Sequence, residues 1–198
     1  MLVLAWAIVI VFVGLDQLIK QLVILNFAES PGAVREYYTF SIGDFDIFSL
    51  THIRNDGAAW SILGGQTVLL VSFTAVVMAA IAVYITVRWR KLPRLELLCM
   101  SLILAGGLGN LIDRVRMLID DGFTGVVDYI KLEFIDFPVF NLADILVVVG
   151  GIGFCVLCVI AEIKASKKKS EEGKKAETGA AGDPSCDDSG LEQGKEDA

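Results

Sequence analysis

Seven side chains able to hold a proton or orient a carbonyl recur through this 198-residue chain: Asp16, Asn55, Asn110, Asp113, Asp128, Asn141 and Asp144. Two cations, Lys20 and Arg114, accompany them. The spacing is helical. Asp16 and Lys20 are four apart, Asn110 stands three before Asp113 and four before Arg114, and Asn141 stands three before Asp144, so each set shares a helix face. Carboxylates held close in a semi-dry site cannot all ionise, so one pKa rises. Such a pair holds a single proton, and one acid donates it while the other activates water. Competing chemistry is missing from the sequence: it has no G-x-S-x-G, H-E-x-x-H or phosphate-binding loop. Cys155 and Cys158 form a C-x-x-C without a second pair or nearby histidine, so they read, with Cys99, as small apolar helix residues. No metal or cofactor is expected.

Each residue also has a plainer reading. Asp16 and Lys20 either act directly or form an ion pair that locks helix packing. Asn110, Asp113 and Arg114 suit a helix end with a snorkelling arginine. Asp144 suits the positive end of a helix dipole. Asp128 alone reads as a solvated loop acid. Asn55 and Gly57, in RNDGAAW (54–60), read as a turn, and the lone His52 as an ordinary loop residue. The separate plain readings do not predict that all seven fall at one depth, which the elements carrying them imply.

The chain is 55% hydrophobic and 21% charged, more apolar surface than a soluble domain of this size can bury. Four runs reach the roughly 20 residues a membrane span needs: 3–25, 66–87, 95–115 and 141–163. The first lacks a basic leader and is too long for a secretory signal, so it is expected to be a retained helix. Basic residues set the orientation. RWRKLPR (88–94) holds four basic residues and no acid, and Lys164, Lys167, Lys168 and Lys169 follow the fourth run. By contrast, 26–65 and 116–140 each hold two basic and five acidic residues. Both termini are therefore expected in the cytoplasm and the two longer connections outside. Opposed helix directions then bring the seven residues together near the outer face.

The predicted fold is an all-α membrane protein of four transmembrane helices with a small extracytoplasmic β-like or interfacial subdomain. Residues 34–54 carry aromatic and β-branched residues, consistent with short strands at the membrane surface. Residues 116–140 mix acids with Phe123, Phe134, Phe137 and Phe140, as an interfacial segment would. The membrane domain is assigned to 1–164. Residues 165–198, with 6 Lys and 9 Asp or Glu and almost no apolar content, are assigned to a disordered cytoplasmic tail. The net charge of −7 is spread without a basic face, which excludes a nucleic-acid partner.

Five motifs occur in order: DQLIK (16–20), NDGAAW (55–60), GNLIDR (109–114), VVDY (126–129) and FNLAD (140–144). With them the chain, over about residues 10–163, resembles the bacterial lipoprotein signal peptidases, or signal peptidase II. The resemblance implies an aspartyl endopeptidase of the cytoplasmic membrane, with its active site near the extracytoplasmic face. It would remove the signal peptide from prolipoproteins just before a diacylglyceryl-modified cysteine. It implies a catalytic pair of Asp128 and Asp144, with Asp16, Lys20, Asn55, Gly57, Asn110, Asp113, Arg114 and Asn141 supporting or binding substrate. The implied partners are lipid-modified prolipoproteins and membrane lipid, with globomycin as inhibitor. Trp60 and Tyr129 stand where the family commonly has Phe, and the stretch after Asp113 is longer than usual. That stretch adds Asp120 and Asp121, which match no motif, and Asp113 is the runner-up for the pair. The alternatives are a small transporter, against which the one-sided clustering of polar residues argues, and a non-catalytic lipoprotein-binding factor, which would tolerate loss of Asp144.

Overall fold

A bilayer core offers the backbone no hydrogen-bond partner, so only helices of sufficient length cross it as single segments. The computed structural model describes residues 1–30, 34–56 and 67–180. Among these residues, four helices are long and apolar enough to span: α1 (Leu2–Asn26), α2 (Thr67–Arg88), α3 (Arg94–Ile119) and the Leu142–Lys168 stretch of α4 (Leu142–Ala180). The four predicted spans coincide with them. Large apolar side chains such as Val3, Ile10 and Leu25 on α1 and Phe73 and Val83 on α2 are exposed, as lipid-facing surface requires.

α3 differs from the rest. Its most apolar stretch has a mean hydropathy of 1.8 against 2.4–2.6 for the others, and 44% of it is buried against 11–17%. It is therefore the central helix, and α1 and α2 both pack against it. The glycines of GGLGN make this approach possible, as the sequence suggested. A Cβ on Gly106 would run into the Ala143 carbonyl oxygen of α4 and lie 2.9 Å from Val147 Cγ2. A Cβ on Gly109 would lie 2.6 Å from Asp16 Oδ2 and 3.2 Å from Ala143 Cβ. Gly150 of α4 meets the Cys99 carbonyl oxygen and Ile103 of α3 in the same way. By contrast, nothing lies within 4 Å of a Cβ on Gly151. Gly106→Ala is therefore expected to cost about 1–3 kcal/mol by overpacking, whereas Gly151→Ala should be neutral or gain up to about 1 kcal/mol of helix propensity. Thermal unfolding of both variants in detergent checks this; equal melting temperatures would refute the close-approach account.

Three strands form one antiparallel sheet in the order β1-β2-β3: β1 (Tyr38–Ile42), β2 (Phe45–Asn55) and β3 (Val126–Leu132). A tight turn at Gly43, with φ +64°, joins β1 to β2; a side chain there would be strained. Between β2 and β3 the register slips between Leu50 and Ile53, after which Ile53 faces Asp128, Arg54 faces Val127 and Asn55 faces Val126. Irregular pairing of this kind turns side chains toward a site. The sheet packs on α1 and α3 through β3. Val23, Phe123, Val127 and Tyr129 form the buried apolar cluster at that contact.

The expected strands within 34–54 are present, and residues 126–132, within the expected interfacial segment 116–140, add a third strand, β3. Val126 to Tyr129 are all buried, so the segment lacks the polar–apolar alternation that marks a half-exposed strand. The tail expected to be disordered from residue 165 is instead helical to Ala180. Ala, Glu and Lys dominate that stretch and are strong helix formers even without apolar content. Residues Cys158–Ala198 make up a second compact unit, whose described part is this end of α4. Gly57, Trp60 and the remainder of the tail lie outside the described residues.

Candidate active site

A helix start leaves four backbone N–H groups without intrahelical partners. At the start of α4 every one of them meets a side chain. Asn141 Oδ1 accepts from the Asp144 N–H (3.1 Å) and Asp144 Oδ2 accepts from the Asn141 N–H (3.0 Å), a reciprocal capping box. The Leu142 N–H donates to the Tyr129 hydroxyl of β3 (3.2 Å), and the Ala143 N–H donates to Asp16 Oδ1 of α1 (3.1 Å). The first turn is thus fixed against two other elements, and Asp144 is fixed with it.

Lys20, 2% exposed, neutralises a separate set of acids. Its Nζ lies 2.9 Å from both Asp16 Oδ2 and Asp113 Oδ2 and donates to Asn110 Oδ1 (3.0 Å). Gln17 completes this network, its Nε2 reaching the Gly109 carbonyl (3.0 Å), Asp113 Oδ1 (3.2 Å) and Asp16 Oδ2 (3.2 Å). Of the two readings the sequence left open for Asp16, a direct role or a packing ion pair, the contacts match the second: it pairs with Lys20 and also caps α4.

Asp128 and Asp144 belong to a different environment. Both line a cavity of about 620 Å³, together with Asn55, Asn110 and Arg114; Asp16, Lys20 and Asp113 do not. Thr74, Met78, Gly107, Val147 and Val148 also line the cavity and, the threonine aside, give it an apolar wall. Two amides connect the carboxylates. Asn141 Nδ2 donates to Asp128 Oδ1 (2.6 Å) and to Asn110 Oδ1 (3.1 Å), and Asn110 Nδ2 donates to Asp144 Oδ1 (2.7 Å). Asn55 Nδ2 donates to Asp128 Oδ2 (3.1 Å) from β2. Arg114 brings positive charge to Asp144 and Asp128.

Burial, and after it the charge of Asp144, pushes the Asp128 carboxyl up to about 7; the hydrogen bonds from Asn55 and Asn141 work against that rise. Near neutral pH Asp128 therefore holds a proton for much of the time beside a second carboxyl, the arrangement suited to combined acid and base catalysis. Burial also pushes the Tyr129 phenol up to about 12, so it stays neutral and serves as an acceptor for α4. Among the described residues, no three His, Cys, Asp or Glu side chains are grouped as metal ligands.

Of the residues singled out in the sequence, Asp16, Lys20, Asn55, Asn110, Asp113, Arg114, Asp128, Asn141 and Asp144 converge on these two adjoining networks, and Gly57 is outside the described residues. His52 is buried, with Nδ1 2.9 Å from the Phe27 carbonyl, and does not line the cavity. Asp120 pairs with Arg116 away from it. Sequence reasoning passed over Gln17 and the hydroxyl of Tyr129. A buried amide in a spanning helix needs partners, which would have marked Gln17; nothing in the sequence marked the phenol as a helix cap.

A family model described as signal peptidase (SPase) II matches residues 8–160. A lipoprotein signal peptidase of Enterococcus faecalis is 36% identical over 174 residues, covering 88% of this chain and 96% of that protein. One from Lactococcus lactis is 38% identical over 156 residues (77% and 91%), and one from Clostridium acetobutylicum 40% over 126 (62% and 77%). Two solved bacterial membrane enzymes are each 30% identical. Their TM-scores are 0.65 and 0.61; they cover 83% and 78% of this chain, and the chain covers 90% and 91% of theirs.

Proposed function

The chain belongs to the signal peptidase II family, and from that premise we propose that it cuts by an aspartyl mechanism at Asp128 and Asp144. It is a multi-pass membrane peptidase that removes signal peptides from prolipoproteins. The bond cut lies just before the diacylglyceryl-modified cysteine. The peptidase occupies residues 1–164 in the bacterial cytoplasmic membrane, with both termini inside. This orientation rests on the basic 88–94 connection and the lysines after the fourth span.

The observation that carries the assignment is the division of the buried aspartates. Asp16 and Asp113 are neutralised by Lys20, whereas Asp128 and Asp144 line the cavity and are joined through Asn141 and Asn110. The signal peptide lies against the apolar lining of the cavity while the acyl chains of the modified cysteine remain in lipid. Asp144, at the positive end of α4, takes a proton from water as the water attacks the scissile carbonyl. Asp128 hydrogen-bonds the developing oxyanion through its proton and transfers that proton to the leaving amine as the C–N bond breaks, while Asp144 keeps the proton taken from water, so the pair ends with one proton as it began. Arg114 and Asn55 supply positive charge and a donor beside the reacting carbonyl. Asp113, Asn110, Asn141, Asp16 and Lys20 hold these groups in place.

Purified protein in liposomes should cleave a diacylglyceryl-modified prolipoprotein immediately before the modified cysteine, and globomycin should block it. An intact precursor in the presence of folded protein would overturn the assignment. The pH profile follows from Asp128. Below about 7 the pair retains its proton; as pH rises past that value the proton is lost and kcat/KM falls, approaching about tenfold per pH unit. A kcat/KM still flat two units above neutrality would remove Asp128 from the acid role.

A further inference from the structure

We propose that Phe123, with the guanidiniums of Arg54 and Arg116 over its ring, is a positioning residue that holds Asp128 in place. The proposal rests on the reading of Asp128 as a catalytic carboxylate. Asp128 reaches the cavity from the start of β3, immediately after the connection from α3. That connection turns at Asp120, whose carbonyl accepts from the Phe123 N–H (2.9 Å) and whose Oδ1 accepts from the Gly122 N–H (3.1 Å). A turn alone leaves the following strand free to slide or lift. Phe123 is the anchor: only 4% exposed, it packs with Val23, Val127 and Tyr129, and the last two flank Asp128.

Two cations from different elements meet on this ring. The Arg54 guanidinium of β2 lies 4.1 Å from its centroid and that of Arg116 of α3 lies 4.3 Å away. Like charges repel; Glu29 pairs with Arg54 (3.8 Å) and Asp120 with Arg116 (3.5 Å), and the negative face of the ring is shared by both guanidiniums. Arg54 also donates Nη1 to the Gly125 carbonyl (3.4 Å). At Gly125 the connection is pressed onto β2 so closely that a Cβ would lie 2.6 Å from the Asn55 nitrogen. Asn55 is the residue whose side chain donates to Asp128. The ring and its two arginines therefore set the register at which Asn55 meets Asp128. None of the three lines the cavity, so their influence passes through Asp128 and not through substrate.

The groups facing Asp128 are Asp144 from α4, Lys20 from α1, Arg114 from α3 and the amides of Asn55 and Asn141. Loosening the anchor admits water and weakens the burial that keeps a proton on Asp128. Phe123→Leu keeps an apolar side chain but gives the arginines no ring. Its kcat should fall by about ten- to a hundredfold, as a misplacement of the order of 1 Å does, with KM little changed and the alkaline limb of the profile moved to lower pH. Phe123→Tyr keeps the ring and should restore both rate and limb. Arg116 is half-exposed, so Arg116→Gln should fold and shift both readouts in the same direction by less. A Phe123→Leu protein that melts earlier yet keeps the wild-type kcat and limb per folded molecule would reduce Phe123 to a packing residue and overturn the proposal. If Phe123→Leu does not fold, wild-type behaviour of Arg116→Gln overturns it instead. An inactive wild-type protein on lipidated precursor sinks the catalytic assignment itself, an outcome these variants do not mimic.

Discussion

Asp128→Asn and Asp144→Asn are each expected to slow precursor cleavage by about a thousandfold or more, the range lost when a general acid or base is removed. The double variant should be little worse than either single one, because the two carboxyls act as a unit. Neither change should unfold the protein. Asn is nearly isosteric with Asp, and one amide oxygen still accepts from Asn141 Nδ2 at position 128 or from a capping N–H at position 144. Asp113→Asn provides the contrast. It weakens one of Lys20's two ion pairs, so it should lower the melting temperature while folded molecules continue to cleave. Cleavage rates and melting curves of the four proteins separate the assignments. A single variant at either cavity position that retains a tenth of the wild-type rate would remove that residue from the pair, and loss of cleavage in well-folded Asp113→Asn would promote the runner-up.

Lys20→Met is expected to be the most destabilising single change in the membrane domain. The ammonium is the shared partner of two nearly inaccessible carboxylates, Asp16 at 0% and Asp113 at 2% exposure. Removing one partner of a buried ion pair costs about 3–5 kcal/mol because uncompensated charge remains. A typical domain has only about 5–15 kcal/mol in total. The loss also reaches α4, since Asp16 caps Ala143 and Asn110 positions both Asn141 and Asp144. The triple variant Lys20→Met, Asp16→Asn, Asp113→Asn removes all three charges and should recover a large part of the stability, because a neutral buried set lacks the desolvation penalty of an unpaired ion. Denaturation in detergent followed by circular dichroism measures both. A Lys20→Met protein as stable as the wild type would show that the carboxylates need no countercharge.

The spans were legible because hydrocarbon imposes length and apolarity on any helix that crosses it, and α1 to α4 obey both. The polar residues were legible for the same reason, since an aspartate in such a run stands out. Which aspartates work together was not legible from the residues alone. The i, i+4 spacing ties Lys20 to Asp16 but says nothing of Asp113, which comes from α3 through the close packing of α3 on α1 at Gly109. β3 was hidden because burial of Val126 to Tyr129 erases the alternation by which strands are recognised. The role of Phe123 was hidden because Arg54 lies 69 residues away on β2 and Arg116 seven residues away on α3, and only the folded sheet and turn bring both onto the ring.

The clamped start of α4 has a consequence for biogenesis. α4 leaves the ribosome after α1 and β3, and its first turn, which carries Asp144, is held by acceptors that those two elements presented earlier in synthesis. Until α4 arrives, Asp128 lacks both Asn141 and its carboxyl partner. Asp16 and Lys20, by contrast, travel as an i, i+4 pair on one helix and can neutralise each other as α1 enters the membrane. With Asp128 and Asp144 as the proposed pair, a chain truncated before α4 should insert into the bilayer yet stay proteolytically silent, and activity should switch on only when α4 docks.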